Sequence, residues 1–177
     1  SPTAGLVDGN DGHFYGVTTI GGATGHGVIF SITHDGTYDV LYAFDGLTGQ
    51  RPAAELTLGS DGRLYGTTSA GGVNASGAAS TFGTIFAIDR ADTNFTRLYS
   101  FSSDVCAVPT TKLVQQSNDV FYGTIGSGSS CGYGAIYRYS GAGDTITGST
   151  RCNDNRDNNG GGAGGPALLL VLGSLLL

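Results

Sequence analysis

An all-β fold made from tandem copies of one four-stranded unit is what this sequence predicts, and three observations carry the prediction. First, the stretch Asp61-Gly62-Arg63-Leu64-Tyr65-Gly66-Thr67-Thr68 recurs upstream as Asp11-Gly12-His13-Phe14-Tyr15-Gly16-Val17-Thr18-Thr19. It recurs downstream, in worn form, as Asn118-Asp119-Val120-Phe121-Tyr122-Gly123-Thr124. Second, further landmarks keep one order around the copies, which chance similarity in a glycine-rich chain would not do. Third, glycine supplies 32 of 177 residues and charged residues only 12%, a composition that suits turn-dense β structure. Tyr15, Tyr65 and Tyr122 set the copies 50 and 57 residues apart, a propeller-type period longer than the coils of a linear β-solenoid. A lone four-stranded sheet cannot bury both faces, whereas copies stacked around an axis cover one another. The expectation is therefore a β-propeller-like array of about three blades.

Each copy opens on a proline-led segment: Pro2-Thr3-Ala4-Gly5-Leu6, Pro52-Ala53-Ala54-Glu55-Leu56 and Pro109-Thr110-Thr111-Lys112-Leu113. It reads as the first strand. The Tyr-Gly stretch is the second, entered through an Asp-Gly turn in which glycine accepts positive φ without a Cβ clash. Gly16, Gly66 and Gly123 fall inside that strand, where glycine marks a bulge or a close approach. The third strand is glycine-led: Gly27-Val28-Ile29-Phe30, Gly83-Thr84-Ile85-Phe86 and Gly134-Ala135-Ile136-Tyr137. Its period-2 alternation, with Val28, Phe30 and Ile32 on one face and Ile29, Ser31 and Thr33 on the other, fits a pleated, packed sheet. Leu41-Tyr42-Ala43-Phe44 and Leu98-Tyr99-Ser100-Phe101 are the fourth, without a counterpart in the third copy. The repeated tyrosines are expected to pack between blades.

The copies span 1–50, 51–107 and 108–150, together a repeat domain over 1–150. Residues 151–165 form a polar and glycine-rich linker. Residues 166–177 form an apolar segment, too short to cross a bilayer as one helix. It reads as a C-terminal sorting or anchor segment, with Gly160, Gly161, Gly162, Gly164 and Gly165 as the cleavage region. Propellers have 4–8 blades. Three copies therefore predict a partial propeller, a piece of a longer repeat protein, with a half-ring that pairs with a second copy as the alternative. Exposed blade edges would invite self-association.

A net charge of −6 with eight Lys and Arg argues against a nucleic-acid partner. Asp8-Gly9-Asn10-Asp11-Gly12 is as rich in oxygens as a calcium loop, but it lacks the ligand spacing and distal Glu of an EF-hand. Its Asp11-Gly12 already serves a turn. No cofactor or metal is expected, with calcium as the alternative, and His13, His26 and His34 read as surface or packing residues. The carboxylates available for acid–base work, Glu55, Asp45, Asp89 and Asp104, are scattered along the chain. No G-x-S-x-G elbow occurs. Hence no catalytic residue is assigned, and the chain is read as a non-enzyme.

Cys106 and Cys131 flank the first two strands of the third copy and are the disulfide candidate in an oxidising compartment, leaving Cys152 odd. The insert 73–80 is a surface loop of the second copy. Asn74-Ala75-Ser76 and Asn94-Phe95-Thr96 match glycosylation acceptor patterns.

Over Pro2 to Tyr139 the repeat resembles the family of choice-of-anchor tandem-repeat GloVer-containing proteins. The resemblance is carried by Pro52 through Leu56, Asp61-Gly62 with Leu64-Tyr65-Gly66-Thr67-Thr68, Gly71-Gly72, Gly83 with Ile85-Phe86, and Leu98-Tyr99 with Phe101. The tail from Asn158 to Leu177 is similar to a GlyGly-type C-terminal sorting signal, without its closing Arg/Lys cluster. The resemblance implies an exported bacterial protein, extracellular or at the cell surface, that meets the membrane only through its tail. It implies no activity. The functional expectation is a non-catalytic module that binds a glycan, a peptide or another surface protein. The alternatives are a propeller-type carbohydrate-active enzyme and a structural component of the envelope or extracellular matrix.

Overall fold

The computed structural model describes residues 2–74, 76–102, 108–126 and 135–141. Among them there is no helix, and each repeat forms its own antiparallel sheet. Repeat 1 holds β1 (Val7–Asp8), β2 (His13–Thr18), β3 (Val28–Thr33) and β4 (Tyr38–Ala43) in sequential order. Repeat 2 holds β5 (Gln50–Pro52), β6 (Thr57–Leu58), β7 (Leu64–Ala70), β8 (Thr84–Ile88) and β9 (Phe95–Ser100), with β5 and β6 both paired to β7. Repeat 3 contributes β10 (Val114–Ser117), β11 (Val120–Ile125) and β12 (Ala135–Ser140).

The registers superimpose from copy to copy. Val7 pairs Tyr15, Thr57 pairs Tyr65, and Val114 pairs Tyr122. Gly16 lies opposite Phe30, Gly66 opposite Phe86, and Gly123 opposite Tyr137. The prolines pair in one register too: Pro2 with Thr18, Pro52 with Thr68, and Pro109 with Ile125. The proline-led segment is thus not the continuous strand expected from sequence. Pairing is made at the proline, lapses where the next four residues face only two of the neighbouring strand, and resumes just beyond the Leu, as β1, β6 and β10.

The strand glycines answer to close approach rather than to bulges. A Cβ on Gly66 would stand 2.5 Å from Phe86 Cζ and 2.9 Å from Leu56 Cδ2; one on Gly16 would stand 2.7 Å from both Phe30 Cζ and Leu6 Cδ2. On Gly123 it would meet the Tyr137 ring. The register slips lie on other strands: at Leu41 and Leu98, where the β3–β4 and β8–β9 registers shift between Ile29 and Phe30 and between Ile85 and Phe86, and at Gln116, where β10 shifts against β11. At the turn before β11, Asp119 takes φ 63° where Gly12 and Gly62 take 86° and 84°. Asp is among the few side chains that tolerate this region.

Successive sheets stack face to face. Call the face that meets the preceding repeat leading and the other trailing. Tyr15, Val17, Ile29 and Phe44 on the trailing face of repeat 1 pack on Leu56, Leu64, Phe86 and Ile88 on the leading face of repeat 2. Tyr65, Ile85, Ala87 and Phe101 then pack on Leu113, Phe121, Tyr137 and Tyr139 of repeat 3. Phe44–Phe86 and Phe101–Tyr137 repeat one edge-to-face contact, both at 5.3 Å. Tyr15 and Tyr65 are buried in these joints as expected, while Tyr122, on the trailing face of repeat 3, is half-buried. Neither core cluster joins repeat 1 to repeat 3, so the described sheets form an open stack and not a closed ring.

The joints are also pinned through their backbones. A Cβ on Gly27 or Gly83 would strike the carbonyl of Thr18 or Thr68 and then the ring of the next repeat's Pro52 or Pro109. Thr57 Oγ1 donates to Leu113 O at 2.5 Å, and Lys112 pairs with Glu55. That ion pair is surface-exposed and contributes about 0–1 kcal/mol, against about 1.5–3 kcal/mol for each buried core side chain. Apolar packing therefore dominates the joints.

Gly66→Ala should destabilise the chain by about 1–3 kcal/mol through overpacking against Phe86, read by urea denaturation. The Tyr137 hydroxyl is buried without a partner among the described residues. Tyr137→Phe should therefore be neutral or stabilising by about 1 kcal/mol in the same assay, because it removes an unpaired donor while keeping the ring.

Candidate binding cleft between the first two repeats

The first joint is apolar along most of its length and turns polar at the Asp-Gly end of the sheets. There His13, Ser31 and Asp39, from the trailing face of repeat 1, oppose the turns of repeat 2 around Asp61-Gly62 and Asp89–Thr93. The cleft between them has a volume of about 580 Å³, and Asp11, Tyr15, Leu41 and Arg90 complete its walls. That volume lies within the range of small-ligand sites.

The turn geometry explains which of these groups are already engaged. Asp11 Oδ1 accepts from His13 N at 3.1 Å and its Oδ2 accepts from Tyr15 Oη at 2.8 Å. Asp61 repeats this with Arg63 N at 3.1 Å and Tyr65 Oη at 2.7 Å. An Asx-type bond closes each turn, and the tyrosine four residues on locks it to the following strand. Arg90 then straddles the joint. Its Nε donates to Gly62 O at 2.7 Å within repeat 2, while Nη1 donates to Gly9 O at 2.5 Å and to Asp11 Oδ2 at 2.8 Å in repeat 1.

Partial burial by itself would raise the Asp11 carboxyl, but the Tyr15 hydroxyl, the His13 N–H and the Arg90 guanidinium outweigh it and hold the group below its ordinary value. Burial, then the bond to Asp11, pushes the Tyr15 phenol up to about 12, with Arg90 opposing. Tyr65 shifts upward for the same two reasons, beside Asp61. Both phenols are therefore held neutral as donors, unsuited to act as bases near neutral pH. Asp39 differs from these turn residues: none of the described side chains bonds its carboxylate, and it stands open to the cleft.

A family profile described as the Gloeobacter/Verrucomicrobia repeat matches residues 1–163. The chain belongs to this repeat family. No curated protein matches it. The family assignment bears out the repeat resemblance, and the joints of this Gloeobacter/Verrucomicrobia repeat differ at single positions. At the second joint Arg63 and Thr96 stand where His13 and Asp39 stand at the first, and Arg63 Nη2 donates to Thr96 Oγ1 at 3.2 Å, bridging the two strands. The open acidic cleft is thus a feature of the first joint.

The structure does not bring the sequence-predicted carboxylates together. Glu55 pairs with Lys112, Asp45 accepts from Thr48 N at 2.8 Å, and Asp89 lines the cleft while accepting from Ala91 N at 2.8 Å. Asp104 lies outside the described residues, as do Cys106, Cys131 and Cys152 and the sorting region Gly160, Gly161, Gly162, Gly164 and Gly165. In the oxygen-rich loop, Asp8 Oδ1 accepts from Asn10 N at 2.8 Å, and Asp11 is turned to its turn partners. His34 stacks edge-on against Phe14 at 4.9 Å, whereas His13 lines the cleft. The insert's Asn74 closes its own loop, accepting from Ser76 N at 3.0 Å and Ala78 N at 2.9 Å. Asp39 and Arg90 were not legible as site residues, since each lies outside the repeated stretch and gains its meaning from the neighbouring sheet.

The phenol of Tyr15 supports stability while neutral. That contribution is fully present below its ordinary pKa near 10 and is lost as pH rises through the folded value of about 12. The difference in phenolate ultraviolet absorbance between the native chain and Tyr15→Phe should show one tyrosine ionising near pH 12; a midpoint at the ordinary value would contradict the half-buried Tyr15–Asp11 bond.

Proposed function

We propose that this protein is a non-catalytic, exported binding module of β-propeller type, and that the cleft at the first joint is its ligand site. The observation that carries the reading is the unengaged Asp39 carboxylate, which lines, together with His13, a cleft formed by two repeats. A carboxylate acceptor and an imidazole lining one cleft suit a ligand rich in hydroxyl groups, so a glycan is preferred over an apolar peptide. Support for a binding role over a catalytic one comes from the turn residues. Asp11 and Asp61 hold tyrosine hydroxyls and backbone N–H groups and Asp89 accepts from Ala91 N, so of the four carboxylates lining the cleft only Asp39 is without a partner among the described residues. The face-to-face stacking of sheets supports the propeller assignment. The choice-of-anchor resemblance and the tail from Asn158 to Leu177 support export and a place outside the cell or on its surface.

Affinity electrophoresis in gels cast with soluble polysaccharides tests this. The native chain is expected to be retarded by at least one polysaccharide, and Asp39→Asn to lose most of that retardation while keeping its thermal stability. Release of reducing sugar ends from the same polysaccharides would support the enzyme reading instead.

A further inference from the structure

The cleft at the first joint holds a buried hydroxyl that nothing engages. β2, β3 and β4 align Tyr15, Ser31 and Asp39 in one row, Tyr15 opposite Ser31 and Ser31 opposite Asp39, so all three side chains stand on the trailing face of repeat 1. Ser31 is only 6% exposed, yet it lines the cleft. Tyr15 commits its hydroxyl to Asp11, and none of the described groups bonds the hydroxyl of Ser31 or the carboxylate of Asp39. Buried polar groups are almost always bonded, so an open one lining a cleft points to a partner supplied from outside. The same row at the second joint is Tyr65, Ala87 and Thr96. There a methyl group stands in place of the serine hydroxyl, Ala87 is fully buried, and Thr96 accepts from Arg63. Stacking two repeats therefore requires neither the Ser31 hydroxyl nor the Asp39 carboxylate.

The walls of the cleft add a sign. Four aspartates, Asp11, Asp39, Asp61 and Asp89, line it against one arginine, and Arg90 is already paired with Asp11 at 2.8 Å. A cleft of one sign draws in the opposite charge and rejects its own, which disfavours glycans built of uronic acids or sulfated sugars. Among the described residues no three His, Cys, Asp or Glu groups are placed to hold a metal ion, so the open carboxylate is matched by an organic cation. We infer that the cleft selects a glycan with unacetylated amino sugars, whose ammonium donates to Asp39 and whose neighbouring hydroxyl bonds Ser31. Such selection rests on the cleft being a glycan site, and it narrows that role to one chemical class. Directly opposed residues on adjacent strands hold their Cβ atoms about 4.5–5.5 Å apart, so an amine and a hydroxyl on adjacent ring carbons reach both groups at once. The ammonium–carboxylate bond is charge-assisted and carries the discrimination. Acetylation removes the charge and adds bulk where Asp39 stands. The Ser31 hydroxyl both donates and accepts, so it takes a sugar hydroxyl in either orientation.

Titration calorimetry with the glucosamine trimer and with its fully N-acetylated counterpart, at a pH where the free amines are protonated, tests this. The native chain is expected to bind the free-amine trimer about tenfold or more tightly than the acetylated one. Asp39→Asn should abolish that preference by lowering affinity for the free-amine trimer about tenfold. Ser31→Ala should weaken both trimers about three- to tenfold. Its melting temperature should stay at the native value, since alanine already fills the matching position of repeat 2. Asp119→Asn removes one negative charge outside the cleft and should bind as the native chain does, which separates the site from attraction to the acidic chain as a whole. Equal or tighter binding of the acetylated trimer would overturn the inference and leave the glycan site standing. A preference that survives Asp39→Asn, or that falls equally with Asp119→Asn, would overturn it as well. So would a native chain that binds neither trimer, in which case the polysaccharide gels decide whether the cleft takes glycans of another class.

Discussion

Everything in this fold depends on an aromatic ring laid across a glycine on the neighbouring strand. Phe30 over Gly16, Phe86 over Gly66 and Tyr137 over Gly123 occupy one register in three sheets. The missing Cβ lets the ring lie down on its own sheet, where it presents a flat apolar surface to the repeat before it. Edge-to-face contacts such as Phe44–Phe86 then set how one sheet rests on the next. Without that glycine the ring would have to stand up into the joint, and the sheets would move apart.

The polar end of the stack has a different logic. Apolar packing brings two sheets together, but their Asp-Gly turns would then abut with opposed backbone carbonyls and carboxylates. Arg90 resolves this at the first joint by bonding the turns of both repeats, and Ser60 with Gln115 and Asn118 does so at the second. The cleft appears where a long cationic side chain spans the gap without filling it. A shorter neutral bridge, as at the second joint, draws the turns together by direct hydrogen bonds. The candidate site is therefore a by-product of how one joint is closed, and its open carboxylate is Asp39, a position held by Thr96 in the next repeat.

Much of the architecture was readable from the chain because β structure writes itself at short range. The Tyr-Gly stretch, the Asp-Gly turns and the period-2 alternation of Val28, Ile29 and Phe30 specify strands, turns and faces through neighbours only a few residues away. The proline-led segment reads as a continuous strand, but it carries two more residues than the strand it pairs with, a mismatch that only the register reveals. The strand glycines were recognised as special, but whether they served a bulge or a close approach depended on a ring some 14 to 20 residues away.

By itself the sequence determined the repeat, its period, the all-β character and the residues that face a neighbouring sheet, since each is a property of local spacing. Only the tertiary structure decided which faces are covered, which carboxylates are engaged and where a cleft remains. Those outcomes follow from the order in which sheets stack: Leu56 is fully buried because repeat 1 lies in front of it, a fact that no local spacing in the chain states.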